Sequence, residues 1–433
     1  MSDENRQKIQ SVRGMHDILP EEHDFFTVIK KAVRHRARQA GFRRISTPIL
    51  EEAALFERGL GDADAAGKEM YRVPVGDKTL AMKPEGTAGI CRAYLEHGMS
   101  SLPQPVQFYY IEPHFRHDRP QKGRFRQFYQ FGLEVLGARD PSIDAQIIHL
   151  AQKLFEDLLI ADRFVLKINT IGSKNCRKKY EEALRDFFLP KIRNLSPDSQ
   201  KRVETNPLRI LDSKDEDDQI LASMAPKFDD FLDAESKDFY EKVKMFLDEV
   251  GVKYLEDKSL VRGLDYYGDT VFEFVDEDGL AVAAGGRYDG LVEMLGGAPT
   301  PAFGFAGGFE RIAAHLRDAG VVPPEKDDTH VYVACLGDAA KAKAMKLLSD
   351  LHDRGIHAIG AIGKASIKNQ LQKADKTGAP WALLLGEVEV REKMILLKNM
   401  KEGEQQRVPI DGIVDHLEKL LGDEKLDTWK MGE

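Results

Sequence analysis

Residues 105–136 run Pro105-Val-Gln-Phe-Tyr-Tyr-Ile-Glu-Pro-His-Phe115, Arg116-His-Asp-Arg-Pro-Gln-Lys-Gly-Arg124 and Phe125-Arg-Gln-Phe-Tyr-Gln-Phe-Gly-Leu-Glu-Val-Leu136. The two flanks are rich in Phe, Tyr, Val and Ile, which predicts strands over 105–116 and 125–136 and a long antiparallel hairpin with a charged tip. Between residues 116 and 126 the tip carries Arg116, Arg119, Lys122, Arg124 and Arg126 against Asp118 alone, a net +4 over eleven residues. Guanidinium groups stay charged and grip phosphate in a fork, so such a hairpin suits a polyphosphate such as ATP, or an RNA backbone. A merely solvated tip accounts for Arg119 and Lys122 equally well, but less so for Arg116, which adjoins the strand. On the return strand the two-residue period sends Arg126, Phe128, Gln130, Gly132 and Glu134 to one face, a row of cation, amide and carboxylate.

Upstream, Pro20-Glu-Glu followed by Phe25, Phe26, Ile29 and Val33 predicts an amphipathic helix closed by Gly41. A strand is expected over Arg43–Leu50, and Pro48 within it places it at an edge, a bend or a subunit contact. Downstream, Asp140-Pro141 caps a helix to about Leu159, and Phe164–Thr170 reads as a strand. Residues 172–255 are helical and charge-rich, an inserted subdomain. Strand and glycine patterns resume at 261–310, and the Pro-Pro-Glu-Lys-Asp-Asp of 323–328 reads as a linker. Beyond it strands (His330–Leu336, near 356–360, Trp381–Leu385, 390–399) alternate with helices (338–354, 366–377, 411–421), an α/β module of about 100 residues.

A chain of 433 residues is too long for one compact domain. No apolar run approaches the roughly 20 residues of a membrane span, and the first residues carry no signal-peptide pattern, so no membrane role and a cytoplasmic location are expected. Cys91, Cys176 and Cys335 are scattered, indicating neither disulfides nor a structural zinc site. The net charge of −9 does not exclude RNA, because residues 211–250 hold 13 acids against 5 bases and leave the remainder near neutral. Gly61 to Gly67-Lys68 is one residue too long for a P-loop, and the glycines of 285–290 lack dinucleotide-binding spacing. His114 and His117 have no further His or Cys nearby and make weak metal candidates. No dedicated metal site is expected.

Taken together, these segments resemble the class II aminoacyl-tRNA synthetases and, within them, the histidyl-tRNA synthetase family, over almost the whole chain. The segment with Pro48 is similar to the first class II motif, Phe115-Arg116-His117-Asp118 to the second, and Gly304-Phe-Ala-Gly-Gly-Phe-Glu310-Arg311 to the third. Arg262-Gly-Leu-Asp-Tyr-Tyr267 and Ala284-Gly-Gly-Arg-Tyr-Asp-Gly-Leu291 resemble the two histidine-specific signatures. The resemblance implies an α+β catalytic core built on an antiparallel sheet over residues 1–325, interrupted by the helical insertion at 172–255. A C-terminal α/β anticodon-binding domain at 330–433 follows. It further implies an enzyme of protein biosynthesis, a histidine–tRNA ligase and homodimer, that activates L-histidine with ATP and Mg²⁺ and transfers it to the 3′ end of tRNA(His).

Residue by residue, the resemblance gives Glu85, Thr87 and Gln130 to the substrate ammonium, which donates three hydrogen bonds. It gives Glu134, Tyr266 and Tyr267 to the imidazole side, where a carboxylate on one ring nitrogen and a phenol on the other would discriminate. The strand pattern alone leaves Glu134 equally open to a structural ion-pair role, and the family match favours imidazole. Arg262 and Arg116 are the expected catalytic pair on the α-phosphate and carboxylate, although Arg262 could form a salt bridge with Asp265 instead. Asp118, Arg124 and Arg311 would bind ATP, and Arg119 and Gln121 would touch tRNA. Two positions depart from the family pattern: Lys83 stands where Arg is usual, and Asp118 where Glu usually meets adenine. In the C-terminal module, residues 361–401 hold eight Lys or Arg against four acids, which the resemblance assigns to tRNA without naming any base-reading lysine. The competing reading is a non-catalytic, histidine-sensing paralogue that regulates ATP phosphoribosyltransferase. That paralogue typically lacks the 262–267 segment and the anticodon domain.

Overall fold

The computed structural model describes residues 9–60, 69–118, 123–211, 213, 215–261, 266–323, 329–360 and 366–422. The chain divides into two compact units, Met1–Pro323 and Pro324–Glu433.

An eight-stranded sheet forms the first unit. Its order is Arg43–Arg44, Val106–Phe115, Gln127–Leu136, Ala302–Gly308, Ala281–Arg287, Gly268–Val275, Val165–Thr170, Leu255–Glu256. All neighbours are antiparallel except the two edge pairs, which are parallel. The hairpin is its spine, in unbroken register from Val106 opposite Leu136 to Phe115 opposite Gln127. Alternation divides its two faces. Tyr109, Phe131, Leu133 and Val135 join one core with the helices Pro20–Gln39, Pro141–Asp157 and Phe309–Asp318. Tyr110 packs in a second core, on the face of Gln130, Gly132 and Glu134, with Tyr266, Tyr267 and Tyr288.

Local chemistry sets the helix limits. Pro141 opens its helix and Asp140 Oδ1 accepts from Ser142 N at 2.8 Å. Gly41, at φ +83°, ends the chain's first helix. That helix buries Phe26, Ile29 and Val33, each contributing about 1.5–3 kcal/mol of hydrophobic stabilisation.

The expected strand over Arg43–Leu50 is not continuous: only Arg43–Arg44 and Leu50–Glu52 pair. Pro48 offers no N–H to a ladder, and residues 45–49 instead bridge two sheets. Ile45 N donates to Tyr109 O at 3.0 Å, and Lys83 N donates to Ile49 O at 2.9 Å. Leu50–Glu52 then joins Lys78–Met82 and Arg72–Val75 in a three-stranded sheet.

Within residues 172–255 the helices divide between two cores. Lys174–Phe188, Pro197–Thr205 and Glu216–Ser223 enclose their own cluster around Leu184, Phe188, Val203 and Ile210. Ala234–Glu249 instead sends Phe239, Tyr240, Val243 and Leu247 into the main core. The first and last of these helices are tied at their starts, where Ser173 Oγ donates to Asp233 Oδ2 at 3.1 Å and Cys176 Sγ to the same oxygen at 3.0 Å.

In the second unit a five-stranded sheet has the order Ala358–Gly360, Val331–Cys335, Trp381–Leu385, Met394–Asn399, Gln405–Pro409. The first three strands are parallel and the rest antiparallel. Of the strand expected over 390–399, Met394–Asn399 forms, and residues 390–392 belong instead to the helix Glu387–Glu392. Lys393, at φ +55°, makes the turn between them. Glu389 reaches back to accept from Gly386 N at 2.9 Å, a start signal that outweighs the β-branched Val388 and Val390.

Candidate active site

One cavity of about 450 Å³ opens on the Tyr110 face of the large sheet. Arg116, Asp118, Arg124, Phe128 and Arg311 line it toward the hairpin tip, and Glu85, Thr87, Tyr110, Gln130, Tyr266 and Tyr267 line it toward the hairpin base. At about 3.3 Å per residue, the six steps from Tyr110 to Arg116, both of which line the cavity, span roughly 20 Å along the hairpin. The cavity is thus elongated along the hairpin, with three arginines at one end and phenols around the Glu85 carboxylate at the other.

At the acidic end the helix Thr87–Glu96 begins on a glycine, Gly86, which has no side chain to cap it. Glu85 does so instead, accepting from Thr87 N at 2.6 Å and Ala88 N at 2.8 Å. Burial raises its pKa, and those two N–H groups oppose the rise. An ionised carboxylate has about four acceptor sites, so the cap leaves Glu85 able to accept from a ligand as well.

Glu134 is 1% exposed and meets the cavity through Thr87, whose Oγ1 donates to Glu134 Oε1 at 2.8 Å. Tyr288 OH donates to Oε2 at 2.6 Å. Burial pushes the Glu134 pKa up to about 8, against the pull of the Tyr288 and Thr87 hydroxyls. Tyr266, Tyr267 and Tyr288 pack around this carboxylate with ring centroids 4.7–6.5 Å apart. Tyr110 completes the wall. A Cβ on Gly132 would lie 2.4 Å from its ring and one on Gly86 2.5 Å away, so only glycine leaves room for it. The Tyr110 hydroxyl is buried and has no hydrogen-bond partner among the described residues.

At the basic end Arg116 Nε donates to Pro84 O at 2.8 Å, and its guanidinium lies 5.4 Å from the Phe128 ring centroid. These contacts hold the side chain in place without neutralising it. Arg124 pairs with Asp118 at 3.1 Å. Arg311 donates from Nη1 to Ala281 O and from Nε to Gly123 O at 3.4 Å. Its pKa is lowered first by burial and then by Arg124. Glu310, beside it, accepts from Tyr129 N at 2.8 Å, and burial pushes its pKa up to about 7.

Lys83 points away from this space. It is 2% exposed, and its ammonium donates to Glu112, to Thr47 O at 3.1 Å and to Thr47 Oγ1 at 3.3 Å. His114 is fully buried, with Nδ1 3.1 Å from Glu112 O and its ring stacked on Phe128. Burial, then Lys83 and Arg116, hold its pKa well below the usual range, so it is a neutral core residue.

Nine of the expected residues therefore share one cavity: Glu85, Thr87, Arg116, Asp118, Arg124, Gln130, Tyr266, Tyr267 and Arg311. Glu134 stands just behind them. Arg262, Arg119 and Gln121 lie outside the described residues. Tyr288 and Tyr110 were not singled out by the sequence, although Tyr288 stands inside the 284–291 signature and Tyr110 faces opposite Tyr109 on a predicted strand.

Comparison with known proteins meets this geometry. Residues 14–312 match the histidyl-tRNA synthetase family model, and residues 330–420 match an anticodon-binding domain. A histidine–tRNA ligase of Dehalococcoides mccartyi is 42% identical over 418 residues, covering 95% of this chain and 100% of the relative. One of Laribacter hongkongensis is 43% identical over 419 residues, covering 95% and 98%. The crystal structure of apo S. aureus histidyl-tRNA synthetase superposes with a TM-score of 0.80 at 34% identity, covering 94% of this chain and 99% of that one. The chain belongs to the histidyl-tRNA synthetase family. Its activity is that of an aminoacyl-tRNA synthetase, histidine–tRNA ligase. A Bacillus halodurans structure described as an ATP phosphoribosyltransferase regulatory subunit/histidyl-tRNA synthetase aligns at 19% identity with a TM-score of 0.62, a likeness of fold alone.

Proposed function

We propose that histidine and ATP meet end to end in this cavity, with the amino acid at the Glu85–Tyr267 end and the phosphates among Arg116, Arg124 and Arg311. The observation that carries this reading is the cavity's division: the phenols of Tyr110, Tyr266 and Tyr267 with Glu85 at one end, and Arg116, Arg124 and Arg311 at the other, in a single space. Glu85, Thr87 and Gln130 accept from the substrate ammonium. Glu134, with Tyr266 and Tyr267, faces the imidazole. Asp118 meets the adenine amino group, with Arg124 and Arg311 on the outer phosphates. Mg²⁺ accompanies ATP and shares the neutralisation of its phosphates.

The reaction needs no protein nucleophile. A carboxylate oxygen of histidine attacks the α-phosphorus in line, the bond to the β-phosphate oxygen breaks, and pyrophosphate leaves. Arg116 and Arg262 stabilise the charge that grows on the α-phosphoryl oxygens. The terminal ribose hydroxyl of tRNA(His) then attacks the adenylate carbonyl, loses its proton, and AMP departs. Holding the reactants in line and neutralising charge supply the rate. Arg119 and Gln121 at the hairpin tip touch the tRNA, and the C-terminal unit takes its anticodon.

The working form is a homodimer in the cytoplasm, where its tRNA and ATP are found. Ile49 and Leu50 stand 44% exposed beside Pro48, apolar surface that a second copy would cover. Among the described residues no helix is long and apolar enough to cross a membrane.

The test is amino-acid-dependent ATP–pyrophosphate exchange without tRNA, screened over the standard amino acids with Mg²⁺. Exchange with histidine alone is expected. Binding of histidine without exchange would turn the reading toward a sensor.

A further inference from the structure

Tyr267 and Tyr288 are each followed, within two residues, by an aspartate held by the same nitrogen. Arg139 Nη1 donates to Asp269 Oδ2 at 2.6 Å and to Asp289 Oδ2 at 2.8 Å. Arg139 lies just past the end of Gln127–Leu136, the strand that carries Glu134. One guanidinium thus ties together the three chain segments that bring Glu134, Tyr267 and Tyr288 to the cavity.

The backbone at this junction is not at rest without a clamp. Asp269 has φ +45°, a conformation that L-residues rarely adopt, and the pairing of Gly268 with Arg287 is a register irregularity. Asp289 is fixed from two further sides, with Oδ1 accepting from Arg287 Nη1 at 3.0 Å and from Ala302 N at 2.9 Å. Arg287 is fully buried and also pairs with Asp144. The helix Ala234–Glu249 enters the same cluster. Phe239 lies beneath both guanidiniums, 4.6 Å from that of Arg139 and 5.3 Å from that of Arg287.

We propose that Arg139 is a positioning residue for histidine: it holds Asp269 and Asp289 together so that Tyr267 and Tyr288 stand at the histidine-binding end of the cavity, and Phe239 makes that placement depend on the docking of helix Ala234–Glu249. The proposal rests on the assignment of this end of the cavity to histidine. Arg139 does not touch the reacting atoms, and the phosphate end, some 20 Å along the hairpin at about 3.3 Å per residue, does not rely on it.

Histidine-dependent ATP–pyrophosphate exchange on the full chain tests it, with KM measured separately for histidine and ATP. Arg139→Ala is expected to raise KM for histidine about tenfold while KM for ATP stays within about twofold, the signature of one end of the site being loosened. Arg139→Lys should regain most of the loss, because a single ammonium can reach both carboxylates. Phe239→Leu should raise KM for histidine about threefold although it lies on a different helix. An unchanged KM for histidine in Arg139→Ala, an equal rise in both KM values, or a lysine variant no better than alanine would overturn the role of Arg139. No response to Phe239→Leu would overturn the link to the helix. If the unaltered chain exchanges with histidine and only the Arg139 variants fail to respond, this proposal alone falls. Exchange by the unaltered chain that does not require histidine would bring down the assignment of the site as well.

Discussion

Gly304 and Glu134 are register partners on adjacent strands, and a Cβ on the glycine would lie 1.7 Å from Glu134 Oε2. The space that a side chain would fill is the space that the carboxylate occupies. Gly304→Ala therefore has to expel Glu134 from its bonds with Thr87 and Tyr288. The expected outcome is a rise in KM for histidine of about tenfold or more, with ATP binding far less affected, measured by exchange kinetics.

Glu134 also makes stability depend on pH. Its pKa is raised to about 8 in the folded chain from an ordinary 4.5, so between those values the folded state holds a proton that the unfolded state has released. The stabilisation is fully present below pH 4.5 and is lost as pH rises through about 8. Glu134→Gln, which carries no titrating proton, should flatten this slope and melt higher than the parent at pH 8.5, by roughly 2–4 °C per kcal/mol regained. Thermal melts of both chains across pH 6–9 check this, and KM for histidine should rise in the variant.

Arg116 is fixed by Pro84 O on one side and Phe128 on another, and in the proposed reading its remaining donors meet the α-phosphate. Arg116→Ala is expected to lower the exchange rate about a hundred- to a thousand-fold, the range seen when one preorganised donor to a developing charge is removed. Arg116→Lys should recover little, because an ammonium cannot hold Pro84 O and a phosphate in the same fork. Arg262→Ala should abolish adenylate formation in a chain that still melts cooperatively, and near-normal exchange would remove Arg262 from the mechanism.

Lys83 and Glu112 form a buried pair, 2% and 6% exposed. Removing one charge strands the other away from water, so Lys83→Met alone should destabilise the first unit by about 3–5 kcal/mol. The double variant Lys83→Met with Glu112→Gln should regain part of that loss, since no uncompensated charge remains. Urea unfolding of the two variants and the parent decides it.

Much of this site is legible along the chain because it lies on one hairpin. Phe128, Gln130 and Glu134 follow from strand periodicity, Arg116 from the one-sided charge of the tip, and the signatures around Tyr267 and Arg311 supply the facing walls. What escapes is what depends on partners distant in sequence. Lys83 reads only as a departure from the family pattern until Glu112 and Thr47 are seen to accept from its ammonium in the interior. His114 reads as a possible ligand until Phe128 covers it. Glu85 reads as a substrate acceptor, and its second task as a helix cap emerges only because Gly86 cannot do that work. The strand expected over 390–399 forms only from Met394, since a three-residue reach from Glu389 to Gly386 favours a helix over Glu387–Glu392 where β-branched residues argue otherwise.

The tie between Ser173, Cys176 and Asp233 brings the two crossing points of a long excursion to one place. The chain leaves the main body at residue 173 and returns at 233, with the cluster around Leu184 and Val203 enclosed between. Such an excursion is a cassette: its ends meet, it carries its own interior, and Ala234–Glu249 stays behind as part of the host. The excursion is nonetheless not inert toward the site it leaves, because Arg177 Nη1 reaches back to Tyr267 O at 3.2 Å and Arg209 lines the active-site cavity.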